Sequence, residues 1–183
     1  PNGHVMSIYS SIRTAVRIGT EEALIQSGFS TIPVIYSHQN GSEPATSYVV
    51  IQVVSLMQKG RTEESTLSDS SSPEKNITFK NHYEGTIQFS FAGSNAPDMA
   101  TEFLNAIPNN LVVREAYQKN NLAPIRKSTL RRAPQKRDTK WVEFFNLDVT
   151  FSYAVYTNQT VDWVEHVRFV EENSGEIITV PPL

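Results

Sequence analysis

The chain contains no cysteine, which excludes a disulfide framework and any thiolate metal site. It also lacks a long apolar run, since no stretch approaches the roughly 18 residues that a membrane-spanning helix needs. The N-terminus carries no charged-then-apolar secretory pattern. Folding in the cytoplasm, with no membrane partner, is therefore expected. Histidine is scarce: His4, His38, His82 and His166 are scattered, with no pair at metal-ligand spacing and no His-Glu-x-x-His helix. A Gly-x-Ser-x-Gly elbow, a P-loop and a Gly-x-Gly-x-x-Gly turn are all missing. The carboxylates concentrate in one loop and in the C-terminal segment rather than pairing on core strands. These absences point away from an enzyme and imply no cofactor and no metal. Three Asn-x-Ser/Thr triplets begin at Asn40, Asn76 and Asn158; without a secretion signal they read as chance.

What is present suits one globular domain. The 183 residues are 39% hydrophobic and 10% aromatic, too apolar for a disordered chain. A chain of this size buries roughly 70% of its unfolded surface. Val5, Ile8, Ile12, Ala15, Val16 and Ile18 recur at helical spacing. Gly19-Thr20-Glu21-Glu22 then reads as a break and a restart, with Thr20 as cap, and Gly28 as a helix stop. Short strands are expected at about 33–37 and 47–58. Residues 62–76 hold one large apolar side chain, Leu67, and read as a mobile excursion between strands or as an arm that orders against a neighbouring subunit.

The clearest local pattern lies at 82–91. Tyr83, Gly85, Ile87, Phe89 and Phe91 alternate with His82, Glu84, Thr86, Gln88 and Ser90, as in a half-buried antiparallel strand. Met99, Phe103, Leu104 and Ile107 then form a helical stripe that Pro108 is expected to end. A second short helix carries Leu111, Val112, Ala116 and Tyr117 up to Asn120. A strand is expected over 122–133. In the last long strand Trp141, Phe145, Leu147, Val149, Phe151, Tyr153 and Val155 line one face. The resulting fold class is α+β, an antiparallel four- to five-stranded sheet with helices packed on one face. Residues 1–157 form this domain and 158–183 an acidic C-terminal extension.

Charge is unevenly placed. Arg126, Lys127, Arg131, Arg132, Lys136, Arg137 and Lys140 are seven of the sixteen basic residues, and Asp138 beside them is one of nineteen acids. The rest of the chain thus holds nine bases against eighteen acids. A basic hairpin over 126–140 could grip DNA phosphates, pair with an acidic protein surface, or be a solvated turn. Protein contact is favoured over DNA. The natural complement is the C-terminal segment, with Asp162, Glu165, Glu171, Glu172 and Glu176 against Arg168 alone.

Residues 33–51 carry the most specific signal. A short apolar strand, Pro33–Tyr36, enters an amide-rich turn with Gln39, Asn40, Gly41 and Pro44, and a second apolar strand starts at Tyr48. This stretch resembles the signature of the bacteriophage neck or tail-terminator proteins, with Gln39-Asn40, Pro44 and Tyr48-Val49 in corresponding places. Gly41-Ser42-Glu43 stand where that family favours Pro-Arg, and Ser47 where a proline is usual. Trp141, Glu143, Leu147, Val149 and Tyr153 resemble the family's final core strand, and the resemblance spans about residues 5–157. It implies a structural virion protein of the neck, assembled in the host cytoplasm. The implied assembly is a homo-oligomeric ring, usually six-fold, that caps the tail and joins it to the head connector. Its partners would be the tail tube protein and head connector or stopper proteins, with genomic DNA passing through the channel without sequence-specific binding. The seven basic residues of 126–140, with Gln39 and Asn40, are then the candidate subunit or partner interface. A nucleic-acid-binding module using the basic segment, or a head–tail stopper, are the alternatives.

Overall fold

The computed structural model describes residues 7–38, 42–67, 74–137, 139–162, 167–170 and 177–180. Gln39 and Asn40, together with Val5, Gly41, Asp138 and residues 68–73, lie outside the described residues. The first helix, α1 (Ile8–Gln26), begins at Ser7, whose hydroxyl accepts the Ser10 N–H at 3.2 Å. Its end is a Schellman turn: the Gly28 N–H bonds the Ile25 carbonyl and the Phe29 N–H bonds that of Leu24, with Gly28 at φ +85°.

Contrary to the expected break, α1 runs straight through Gly19 and Thr20, and both are buried. Gly19 has a packing role instead, because a Cβ there would lie 2.2 Å from the Tyr117 ring. The Thr20 hydroxyl bonds back to the Val16 carbonyl at 2.7 Å, so its polarity is spent inside the helix.

Strands β1 (Val34–Tyr36), β2 (Tyr48–Leu67), β3 (Glu74–Ala92), β4 (Leu122–Lys127), β5 (Arg131–Arg132) and β8 (Phe144–Asp162) form the main sheet in the order β1-β2-β3-β8-β4, with β5 also on β8. The sheet is mostly antiparallel, as expected. The exception is β1, which pairs with β2 in parallel, Val34 opposite Val49. The expected strand at 122–133 is divided. β4 carries a bulge between Pro124 and Arg126, which suits a proline on a strand at the end of the sheet order, and β5 resumes pairing at Arg131 opposite Asn146.

The alternation read at 82–91 is the alternation observed. Ile87, Phe89 and Phe91 are fully buried, as are Leu147, Val149 and Phe151 on β8. Against that face pack α1, α2 (Ala96–Asn109) and α3 (Leu111–Lys119). Phe103 of α2 stacks 4.9 Å from Phe89 and 5.3 Å from Phe91, and Tyr117 of α3 lies 5.2 Å from Phe151. Pro108 does not end α2, which continues to Asn109. Its missing N–H frees the Leu104 carbonyl, and the Lys127 ammonium takes that oxygen at 3.1 Å. Asn110 then separates the helices, accepting the Val112 and Val113 N–H groups as the cap of α3. Val113 and Tyr117 are the buried residues of α3, whereas Leu111 and Val112 face solvent.

The chain divides into two compact units, residues 1–60 with 82–155, and residues 61–81 with 156–183. The first holds the helices and the core just described. In the second, residues 62–67 and 74–76, expected as loop, are strand, and 158–162 continues β8. Polar cross-strand pairs hold these segments where apolar side chains are lacking. Thr78 donates to Asn158 and Thr160 to Asn76, both at 2.9 Å. Two Asn-x-Thr triplets therefore face each other reciprocally across β3 and β8, which gives them a structural use. Thr62 donates to Asn81 at 2.6 Å, and Lys80 pairs with Glu63 at 3.5 Å. No side chain of this ribbon is buried among the described residues. The unit also contains a two-stranded sheet, β9 (Val167–Val170) with β10 (Ile177–Val180).

Candidate assembly interface

The signature stretch and the basic segment, far apart in sequence, meet at one end of the sheet. β6 (Gln135–Arg137) and β7 (Lys140–Val142) form a small two-stranded sheet of their own. Arg137 reaches the Glu43 carboxylate at 3.1 Å and lies 5.6 Å over the Phe144 ring. Glu43 also accepts the Tyr48 hydroxyl. Burial, and then that hydrogen bond, push the Tyr48 phenol above its ordinary range, so it stays a donor. Tyr48, Ala92 and Phe144 form a second, small apolar cluster, with Ala133 and Val142 packed against it.

Gly93 makes this junction possible. Its φ of +100° suits glycine, and a Cβ would stand 2.5 Å from Ser47 Oγ and 2.8 Å from Ser47 Cα. Its N–H bonds the Glu143 carbonyl at 3.1 Å, while Ser47 Oγ accepts the Asn95 N–H at 3.3 Å. The cleft that results has a volume of about 540 Å³, with Pro44, Tyr48, Arg137, Trp141 and Val142 among its lining residues. Trp141 was expected on the core face of the last strand. It is instead 70% exposed on β7. The reason is register: the ladder ends at Val142 and β8 begins at Phe144, so the period-2 pattern does not carry across.

The basic segment is not one hairpin but four short strands, and most of its charge is satisfied within the chain. Arg126 pairs with Glu84 at 2.6 Å, and Lys59 also approaches Glu84, at 3.5 Å. Arg131 pairs with Asp148, whose other oxygen accepts Gln88 at 3.1 Å. Arg132 grips Glu143 with both arms of its guanidinium, one at 2.9 Å. That bond holds the Glu143 carboxyl below its ordinary value and raises Arg132. Among the described residues Lys127, Lys136 and Lys140 have no carboxylate partner, and of these Lys127 has the Leu104 carbonyl. Sequence reasoning missed the acids because Glu84, Asp148 and Glu43 come from other strands and loops. The exposed arginine pairs are each worth roughly 0–1 kcal/mol, so their effect is on local geometry and net charge more than on stability.

The signature strand is also fixed to α1. The Arg13 guanidinium stacks 4.0 Å over the Tyr36 ring, and the Tyr36 hydroxyl bonds the Arg13 carbonyl at 3.3 Å. Among the described residues no group of histidines and carboxylates could hold a metal ion. No helix there is long and apolar enough to cross a membrane.

A helix-backed sheet with a polar open face, paired charges and an exposed tryptophan beside an open cleft is a surface suited to contact with other protein chains. The chain belongs to the phage neck terminator proteins, whose family model matches residues 6–178. It is thus a bacteriophage structural protein and a component of the virion. The match continues past residue 157, into the segment that sequence reading set apart as an extension. No curated protein matches the chain.

Proposed function

We propose that the chain is one subunit of a closed ring, six-fold as is usual for such proteins, that ends the phage tail and joins it to the head connector. The observation that carries this reading is the ribbon of residues 61–65, 76–81 and 156–160, which is paired through polar side chains yet buries none of them. Ordering backbone costs about 1–2 kcal/mol per residue, and a two- or three-stranded ribbon without an apolar face is marginal alone. Contact with a neighbouring subunit supplies the missing burial. A head-to-tail contact repeated around an axis closes when its rotation fits. One face of such a ring meets the tail tube and the other the connector, while DNA passes through the middle.

Nucleic-acid binding through residues 126–140 has less to work with. Arg126, Arg131, Arg132 and Arg137 already face carboxylates, and each such pair removes a candidate phosphate contact. Native mass spectrometry of the chain at low and high salt tests the reading. A closed oligomer that loosens with salt supports it. A strict monomer that holds duplex DNA, and releases it steeply as salt rises, refutes it.

A further inference from the structure

We propose that the groove between β4 and the junction of α2 and α3 is a docking site for an acidic, apolar segment of another virion protein. The inference rests on the chain being a virion protein and not on ring closure, so either can fail alone. The groove has a volume of about 390 Å³. Ile107 and Pro108 of α2, Arg114 and Gln118 of α3, and residues 123–127 of β4 line it. Arg114, Arg126 and Lys127 are its charged side chains, and no acid lines it among the described residues.

Two of the three cations keep their charge. Arg126 is paired with Glu84, which lies outside the lining. Lys127 holds the Leu104 carbonyl, a neutral partner, and Arg114 has no carboxylate partner among the described residues. Apolar surface lies beside them. Ile125 is 51% exposed, and it has no partner on β8, because the register passes from Pro124 opposite Phe151 to Arg126 opposite Thr150. A bulge of this kind re-aims the side chain it carries. Leu111, 67% exposed, stands three residues before Arg114 on the stripe of α3 that also carries Gln118.

These features select the occupant. Carboxylates answer Arg114 and Lys127, and an apolar side chain between them covers Ile125 and the neighbouring prolines. Nucleic-acid phosphates would meet the cations but leave the apolar lining uncovered. β4 also ends the sheet order, which suits an extended segment laid along it. Pro124 has no N–H to offer, so recognition rests on side chains more than on backbone pairing.

Selection from a random library of peptides about twelve residues long tests the site, with the purified natural chain as bait. Enriched peptides are expected to carry Asp or Glu on both sides of an apolar residue. Labelled with fluorescein, they should bind Arg114→Glu and Ile125→Asp at least about tenfold more weakly than the natural chain. Lys119 lies on α3 outside the lining, so Lys119→Glu makes the same charge change away from the groove and should bind within about twofold of the natural chain. Far-UV circular dichroism checks that each variant folds. No enrichment, enrichment of peptides without acids, or equal binding by Arg114→Glu and Ile125→Asp overturns the site. Native mass spectrometry separates the remaining occupant. An oligomer that is lost in Arg114→Glu places a second copy in the groove and overturns the assignment to another protein. An oligomer kept in that variant, with peptide binding lost, supports the site and leaves the ring standing.

Discussion

Replacing Gly19 by alanine separates two readings of the first helix. An exposed glycine inside a helix costs about 1 kcal/mol relative to alanine, so a glycine that merely interrupts α1 should stabilise the protein when replaced. The structure predicts the opposite. A Cβ at position 19 would lie 2.2 Å from Cε1, 2.3 Å from Cδ1 and 2.7 Å from Cζ of Tyr117. Carbon atoms in contact prefer about 3.5–4.0 Å, so the ring would have to retreat by more than about 1 Å. It has nowhere open to go, being fully buried with the Phe151 ring 5.2 Å away. Overpacking of this kind costs about 1–3 kcal/mol and at times more. Taking the upper part of that range and subtracting the helix-propensity gain leaves a net loss of about 2 kcal/mol. The assay is urea unfolding followed by far-UV circular dichroism, which reports all three helices. The control is the same substitution in a Tyr117→Leu background, where the obstructing ring atoms are gone and Gly19→Ala should be neutral or stabilising. Equal effects in both backgrounds, or a gain from Gly19→Ala alone, would refute the packing argument.

Lys127→Met should cost about 1 kcal/mol by leaving the Leu104 carbonyl without its partner. In a Pro108→Ala background, where residue 108 regains an N–H for that carbonyl, the same substitution should cost close to nothing; a double-mutant cycle by urea unfolding reads the difference. Thr78→Val with Thr160→Val removes both reciprocal bonds to Asn158 and Asn76, and at roughly 0.2–1 kcal/mol per cross-strand pair should speed amide hydrogen exchange there several-fold. The core strand residues 85–91 should be unaffected, and uniform exchange changes would contradict the separate character of the ribbon. Glu143 should titrate below its ordinary value of 4.5, because Arg132 favours its charged form. A lowered carboxyl pKa means that the pair contributes above the ordinary value and fades as pH falls through the folded one. Carboxyl-carbon NMR should show the midpoint returning upward in Arg132→Gln.

Period and local chemistry made much of the fold legible. Strand 82–91 alternates without interruption, α2 shows one apolar stripe, and Gly28 stands where a Schellman turn needs it. The misreadings share a cause, which is that the deciding partner lay elsewhere in the chain. Gly19 looks like a breaker until the Tyr117 ring is seen against it. Pro108 looks like a stop until Lys127 supplies the donor it lacks. Seven cations within fifteen residues look like one patch until Glu84, Asp148, Glu143 and Glu43 are placed beside four of them. Trp141 fits the alternating pattern by its number, but β8 begins only at Phe144. The candidate cleft was legible only as two separate features, the turn after β1 and the basic segment, with nothing local to say that Arg137 would reach Glu43 from 94 residues away.

The ribbon illustrates how a sound premise reached the wrong structure. Residues 62–76 do hold almost no apolar surface, and such a segment ordinarily fails to repay its ordering cost. The chain answers with polar pairs between strands, each returning less than a kilocalorie per mole or so, against an ordering cost of about 1–2 kcal/mol for every residue. The backbone ladder offsets part of that cost and apolar burial offsets none, since no described side chain of the ribbon is buried. A ribbon with no buried side chain among its described residues gains stability when something outside the chain covers it. On the proposed ring reading, that cover is another copy of the chain. The same reasoning applies to the exposed indole of Trp141. On the proposed ring reading, what one chain leaves uncovered marks where its neighbours sit.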